Sequence, residues 1–274
     1  MRNGMKENGI AVIGVVLIVI VLAFILLGGP TSNLDWEQTW VMPSSWDPLG
    51  HSQGTECDGT YLWWSSGNLI AKTYISNPDW NNPLAINIQP MTDGTNTEQI
   101  NGIHLHENYI YTTGPIFLNV PYRCFVKWYD KNTLEFVGEQ ELFWEGKGSM
   151  QEGITFHDGY WWVVMLKSPW VCKYDTSWYY MGRVKLLGQP TEVQGHDWSG
   201  GQLWVTTTDG PIRIYDYDGK SFTLATTLPK PSQVLHGQGL SVSSDGLYLY
   251  WGDFTNIPPQ EVLHKFSISW RNKE

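Results

Sequence analysis

The feature that most limits what this 274-residue chain can fold into is a repeat. Five times a polar residue followed by glycine opens a short strand-forming run, and an aromatic-rich run follows within a few residues. The starts are Gln53-Gly54, Asn101-Gly102, Glu152-Gly153, Gln194-Gly195 and Gln238-Gly239, with glycines 48, 51, 42 and 44 residues apart. A period of that length holds one four-stranded antiparallel blade and is too irregular for a solenoid coil. The aromatic runs are Tyr61-Leu62-Trp63-Trp64, Tyr109-Ile110-Tyr111, Tyr160-Trp161-Trp162-Val163, Leu203-Trp204-Val205 and Leu247-Tyr248-Leu249-Tyr250-Trp251. Between the two runs stand Asp58-Gly59, Glu107-Asn108, Asp158-Gly159, Gly200-Gly201 and Asp245-Gly246, pairs that tolerate the positive φ of tight hairpins.

A third strand carries its own signature: Lys127-Trp128-Tyr129-Asp130, Lys173-Tyr174-Asp175, Ile214-Tyr215-Asp216 and Lys265-Phe266-Ser267. Fourth strands are expected at 84–89, 134–142, 178–187 and 221–228. The chain ends at Glu274, directly after the third strand of the fifth repeat, which leaves that blade without an outer strand. The apolar segment Leu34 to Met42 is otherwise unemployed and is expected to close the ring by pairing first with last. The reading is an all-β, five-bladed propeller of four-stranded antiparallel blades, closed by an N-terminal strand. Composition agrees: 14% aromatic residues, 16 of them Trp, against only 16% charged. Most of these rings should fill the wedges between blades.

Ahead of the propeller, Ile10 to Leu27 holds eighteen consecutive uncharged residues, nearly all aliphatic. At about 1.5 Å per residue a helix of this length spans roughly 27 Å, close to the hydrocarbon thickness of a bilayer. Arg2 and Lys6 precede it and the next cation is Lys72, which places the N-terminus in the cytoplasm and the propeller outside. The expected organisation is a cytoplasmic 1–9, a transmembrane signal anchor 10–29, a linker with the closing strand 30–52 and the propeller 53–274. A cleaved signal peptide is the rival, with Gly28-Gly29-Pro30 a poor cleavage site. A pilin-like leader around Lys6-Glu7-Asn8-Gly9 is a further alternative.

Without Arg2, Lys6 and Glu7 the remainder carries 15 cations against 26 anions, net −11. An acidic domain without a basic cluster argues against nucleic acid and anionic lipid headgroups as partners. Cys57, Cys124 and Cys172 lack CxxC spacing, so no thiolate metal site is expected, and one extracellular disulfide is permitted.

Function in a propeller gathers where the inner strands begin and where the second-to-third strand loops emerge, around the central channel. Gln53, Asn101, Glu152, Gln194 and Gln238 would form a ring of amides with one carboxylate at the channel mouth, able to hold water, a polar ligand or a cation. His51, His196, Asp197 and His236 would join them from the inner-strand entrances, and Asp209 and Asp253 from the loops. His104 is harder to place. No other cofactor is expected, and no nucleophile elbow, zinc-protease motif or phosphate loop occurs. The segments 114–123 and 252–260 read as long, partly apolar loops that suggest a recognition surface.

Gln238-Gly239-Leu240 with Asp245-Gly246-Leu247-Tyr248, and Glu152-Gly153-Ile154-Thr155 with Asp158-Gly159, resemble the repeats of five-bladed propellers of the glutaminyl cyclotransferase (plant-type glutaminyl cyclase) family. The Lys-Tyr-Asp strands and Gln194-Gly195 with Asp209-Gly210 resemble its blade pattern, which other lactonase-like and YVTN-like propellers share. The resemblance implies Glu152 as a proton-transfer residue in a channel lined by amides and Trp. After Glu152, however, the chain runs Trp162-Val163-Val164-Met165-Leu166 where the family places a Thr-Trp pair. The expected function is therefore a membrane-anchored extracytoplasmic module binding a glycan, peptide or protein. The alternatives are a cyclotransferase or lyase using Glu152, and a pilin-like or envelope subunit that assembles as a homo-oligomer.

Overall fold

The structure is a computed structural model that describes residues 31–43, 52–67, 69–88, 100–116, 123–144, 151–165, 168–188, 193–207, 210–256 and 259–271. Contacts divide the chain into two compact units, Met1–Asn33 with Ser269–Glu274, and Leu34–Ile268. The second unit holds the propeller. The apolar run Ile10 to Leu27, His51, Asp209 and the tip of the 114–123 segment lie outside the described residues. Among the described residues no helix is long and apolar enough to cross a membrane.

After β1 (Thr31–Val41), the first blade is β2 (Ser52–Cys57), β3 (Tyr61–Ser66), β4 (Leu69–Tyr74) and β5 (Ala85–Ile88). The second is β6 (Ile103–His106), β7 (Tyr109–Ile116), β8 (Arg123–Asp130) and β9 (Phe136–Glu141). β10 (Gln151–His157), β11 (Tyr160–Met165), β12 (Trp170–Tyr174) and β13 (Tyr180–Lys185) make the third. The fourth is β14 (Val193–Ser199), β15 (Gln202–Thr207), β16 (Ile212–Tyr217) and β17 (Phe222–Leu228). In the fifth, β18 (Leu240–Val242), β19 (Tyr248–Asn256) and β20 (Pro259–Arg271) are followed in sheet order by β1. All five sheets are four-stranded, and every registered pair is antiparallel. The inner strands β2, β6, β10, β14 and β18 stand side by side, with β18 beside β2.

The repeated glycines make this ring possible. A Cβ on Gly195 would stand 2.7 Å from the Gly239 Cα, one on Gly54 would meet the Ile103 nitrogen at 2.7 Å, and one on Gly239 would collide with the Gln53 carbonyl oxygen. At these three positions the next blade's inner backbone fills the space where a side chain would be, and at Gly153 the His196 ring does. The hairpin turns are as expected: Asp158 and Gly159 both take positive φ, as do Gly200 and Gly201, matching the right-handed strand twist.

The third-strand signature also has a physical basis. Lys72 lies 3.9 Å from the Tyr61 ring centre, Lys173 3.5 Å from Tyr160 and Lys265 3.8 Å from Tyr248. Each lysine pairs with the residue two beyond that tyrosine, so it reaches the ring diagonally across the two strands. The adjacent Tyr129, Tyr174 and Tyr215 are fully buried. Asp130 and Asp175 then cap the following turns by accepting backbone N–H bonds. In the fourth blade Asp218 does this instead of Asp216, which accepts a bond from the Gln202 amide. The wedges are filled by Trp63, Trp64, Trp162, Trp204 and Trp251.

Two expectations are corrected. The 252–260 segment is no open loop: β19 runs to Asn256, β20 starts at Pro259, and Asn256 pairs with Pro259. Gly114 to Ile116 likewise extend β7, with Ile116 opposite Arg123. Ladder hydrogen bonds outweigh loop-like composition at both places. Cys57, Cys124 and Cys172 are all buried and none is in a disulfide, so the permitted bridge is not formed.

Replacing Gly239 by Ala drives a methyl into the next blade's backbone, where neither side has a rotamer to yield. The expected cost is about 3 kcal/mol, a fall in Tm of roughly 6–12 °C. Calorimetry of the variant checks this, with Leu247→Ala, an exposed position, leaving Tm within about 2 °C.

Candidate functional site

Counting two residues past each repeat glycine reaches Glu56, His104, Thr155, Asp197 and Ser241, one from each inner strand. Four of them are less than a tenth exposed and the His104 side chain is 15% exposed. They converge. His104 Nδ1 stands 2.8 Å from Glu56 Oε2 and 3.4 Å from Thr155 Oγ1, and Ser241 Oγ donates to Glu56 Oε1 at 3.1 Å. Glu56 also accepts the N–H of Cys57 on its own strand and of Leu105 on the next blade's inner strand. Asp197 repeats the motif, accepting the N–H of Trp198 and, from the neighbouring blade, of Val242. Each carboxylate thus clamps two successive inner strands.

The donor atoms of Glu56, His104 and Asp197 all lie within 4.8 Å of one another, so these three could hold a cation. Hydrogen bonding already occupies Glu56, with two donors on each oxygen. A metal would have to displace His104 from Glu56. The cluster is better suited to sharing protons. Burial, then the nearby Glu56 charge, pushes Asp197 up to about 7. Burial opposes charge on His104, but Glu56 and Asp197 together hold its pKa above the ordinary value. Burial and Glu56 also push the Cys57 thiol far up, leaving it inert.

The expected amide ring is only partly brought together. Gln53 and Asn101 are buried and Gln194 and Gln238 half-buried at the starts of the inner strands. Glu152 sits at a register shift in β10, and its side chain lies outside the described residues. Along the axis, Gly54, Gly102, Gly153, Gly195, Gly239 and the residues following them enclose a cavity of ≈ 10 Å³, about the room one water needs. His196 lines it. Its Nε2 faces the Trp162 carbonyl at 3.1 Å, its Nδ1 has no partner among the described residues, and burial lowers its pKa to about 3.

Asp253 was expected in a loop at the channel mouth. It is fully buried in β19, where it accepts the N–H of Leu235 and His236 and contacts His264 at 3.3 Å. The longer hairpin carries it into the blade. Sequence reasoning placed Asp197 and His196 near the axis, left His104 unplaced, and missed Glu56, Thr155 and Ser241. The signal was available, since all five repeats have a polar residue at one offset from glycine.

At the hairpin-turn end of the inner strands the surface is aromatic. His106 stacks on Phe156 at 3.9 Å between ring centres, and His157 lies nearly parallel to Trp198 at 3.8 Å and 11°. Tyr111 and Tyr217 extend these groups, and Tyr61 stacks on Tyr74 at 5.4 Å. All but Tyr74, which is exposed, are half-buried, unlike the Trp residues of the wedges.

The folded state keeps protons on Asp197 and His104 that the unfolded chain releases. Their contribution to stability therefore falls as pH rises, through about 3.8 to about 7 for Asp197 and above 6.5 for His104. His196, held neutral, acts oppositely and destabilises as pH drops below 6.5. Comparing wild type with Asp197→Asn isolates the first effect. From pH of about 4 to about 8, wild type should lose a few kcal/mol relative to the variant, read as converging or crossing Tm curves. Parallel curves would show that Asp197 ionises normally.

No family model matches the chain, and no curated protein matches it. Solved structures do. Glutaminyl cyclase from Myxococcus xanthus aligns over 88% of this chain and 100% of its own with a TM-score of 0.59 at 10% identity. Luciferin-regenerating enzyme aligns over 87% and 95% with a TM-score of 0.51 at 12% identity. A protein of unknown function from Bacteroides caccae aligns over 84% and 85%, with a TM-score of 0.50 at 11% identity. At such identities the likeness is one of fold: the chain is a five-bladed propeller similar to that of glutaminyl cyclase.

Proposed function

We propose that the chain is a membrane-anchored binding module that displays its propeller outside the cell and recognises a glycan on the aromatic turn face. The observation that carries this is two pairs of half-buried rings, His106 with Phe156 between the second and third blades and His157 with Trp198 between the third and fourth. Planar rings give apolar stacking surface at low entropic cost, and the histidine edges add hydrogen-bonding atoms. The axial cavity, at ≈ 10 Å³, favours recognition on an outer face over a ligand inside the ring. The acidic charge disfavours anionic ligands.

The anchoring rests on Ile10 to Leu27 with Arg2 and Lys6 before it. In this reading β1 also seals the ring, supported by the Lys265–Glu37 ion pair at 2.7 Å and the Met42 N–H bond to the Glu261 carbonyl.

On an immobilised oligosaccharide panel the full-length protein in detergent should retain at least one glycan. Trp198→Ala and Phe156→Ala should each weaken that binding about tenfold or more, whereas truncating Tyr179, 73% exposed on the third blade, should leave it within about twofold. Turnover of an N-terminal glutaminyl peptide, lost in Glu152→Gln, would instead favour the cyclotransferase reading. For topology, protease added to intact cells should remove the propeller and spare the first residues; a released protein beginning near Gly29 would mean a cleaved signal.

A further inference from the structure

Asp253, His264 and Thr39 form a linear chain on three adjacent strands of the fifth blade. Thr39 Oγ1 stands 2.8 Å from His264 Nδ1, and His264 Nε2 stands 3.3 Å from Asp253 Oδ2. Asp253 is fully buried and receives two further backbone N–H bonds, from Leu235 and His236, which hold it as a carboxylate; these bonds and His264 keep its pKa below the ordinary value although burial opposes this. With Asp253 ionised, Nε2 carries the imidazole proton and Nδ1 is left as the acceptor for the threonine hydroxyl. The Trp36 indole N–H already donates to Thr39 Oγ1 at 3.0 Å, so the hydroxyl proton is directed at the histidine.

The strand is bent to achieve this. Leu34 packs against the core shared by the fourth and fifth blades, whereas Trp40, of the same parity, packs against the core shared by the fifth and first. Trp36 and Thr39, three residues apart, nonetheless meet. Strict alternation forbids both, so β1 carries an irregularity between Trp36 and Trp40, the kind of device that re-aims a side chain. It turns Thr39 onto His264. Thr39 is half-buried, and Trp36 beside it is 50% exposed, leaving an apolar ring next to the hydroxyl.

The geometry points to Thr39 as a nucleophile, activated by His264 and Asp253, that accepts acyl groups from esters with an apolar or aromatic acyl part. In the step, Thr39 Oγ bonds to the ester carbonyl carbon as its proton passes to His264 Nδ1. The ester C–O bond then breaks, and the departing alcohol takes that proton, leaving an acyl-threonine that water hydrolyses by the same route in reverse. Asp253 touches no reacting atom and acts as a positioning residue for the imidazole.

The test uses full-length protein in detergent with p-nitrophenyl butyrate and with a fluorophosphonate probe, followed by peptide mass spectrometry. One adduct on Thr39 is expected. Thr39→Val should abolish it, Thr39→Ser should keep the rate within about tenfold, and His264→Gln should lower it about a hundredfold or more. Circular dichroism checks that each variant is folded. Should His264→Gln fail to fold, the Thr39→Ser and Thr39→Val pair still decides. Folded wild type that gains no adduct at Thr39, or the same labelling rate in folded His264→Gln, would overturn the proposal.

Discussion

Everything in this propeller depends on how closely the inner strands approach one another. Around this axis the innermost backbones touch, and Gly54, Gly195 and Gly239 show that contact directly, each with a neighbour's main chain where a Cβ would stand. The narrowness of the axial cavity follows from the same contact. Among the described residues, the cavity at the glycine waist has room for about one water. The tight ring also brings the carboxylates two residues past glycine into reach of the next blade's N–H groups.

Those carboxylates carry an electrostatic consequence. Two acids and a histidine are removed from water together, which is tolerable because backbone N–H groups, the Ser241 hydroxyl and a shared proton neutralise them. The clamp therefore couples blade registry to protonation, while the inert Cys57 thiol beside it adds packing only. On the periphery of the sheets the same chain uses weaker devices repeatedly: lysine over tyrosine, and aspartate over the turn that follows the third strand. Each contributes little alone. Their recurrence in several blades is what makes the repeat detectable.

Some of the architecture was legible because it is local. The polar-Gly starts, the turn pairs and the Lys-Tyr-Asp strands each act within a few residues, so strand order, four-strand blades and even the fourth strands near 136–141 and 222–228 could be read directly. Loop extents could not. Gly252 to Gln260 is rich in turn formers, yet cross-strand pairing pulls it into β19 and β20 and buries Asp253. The candidate site was half visible: Asp197 and His196 were named for their position, but Glu56, Thr155 and Ser241 were passed over because no single repeat marks them as unusual.

The amino-acid order alone determined the number of blades, their strand content and the residue type at every axial offset, because backbone propensity, turn chemistry and period are properties of short segments. It could not determine which residues far apart in the chain meet. Glu56 reaches Leu105 and Ser241 across separations of 49 and 185 residues, and Thr39 reaches His264 across 225. Such meetings are fixed by the radius at which five twisted sheets pack around one axis and by the irregularity in one outer strand, quantities that exist only once the ring is assembled.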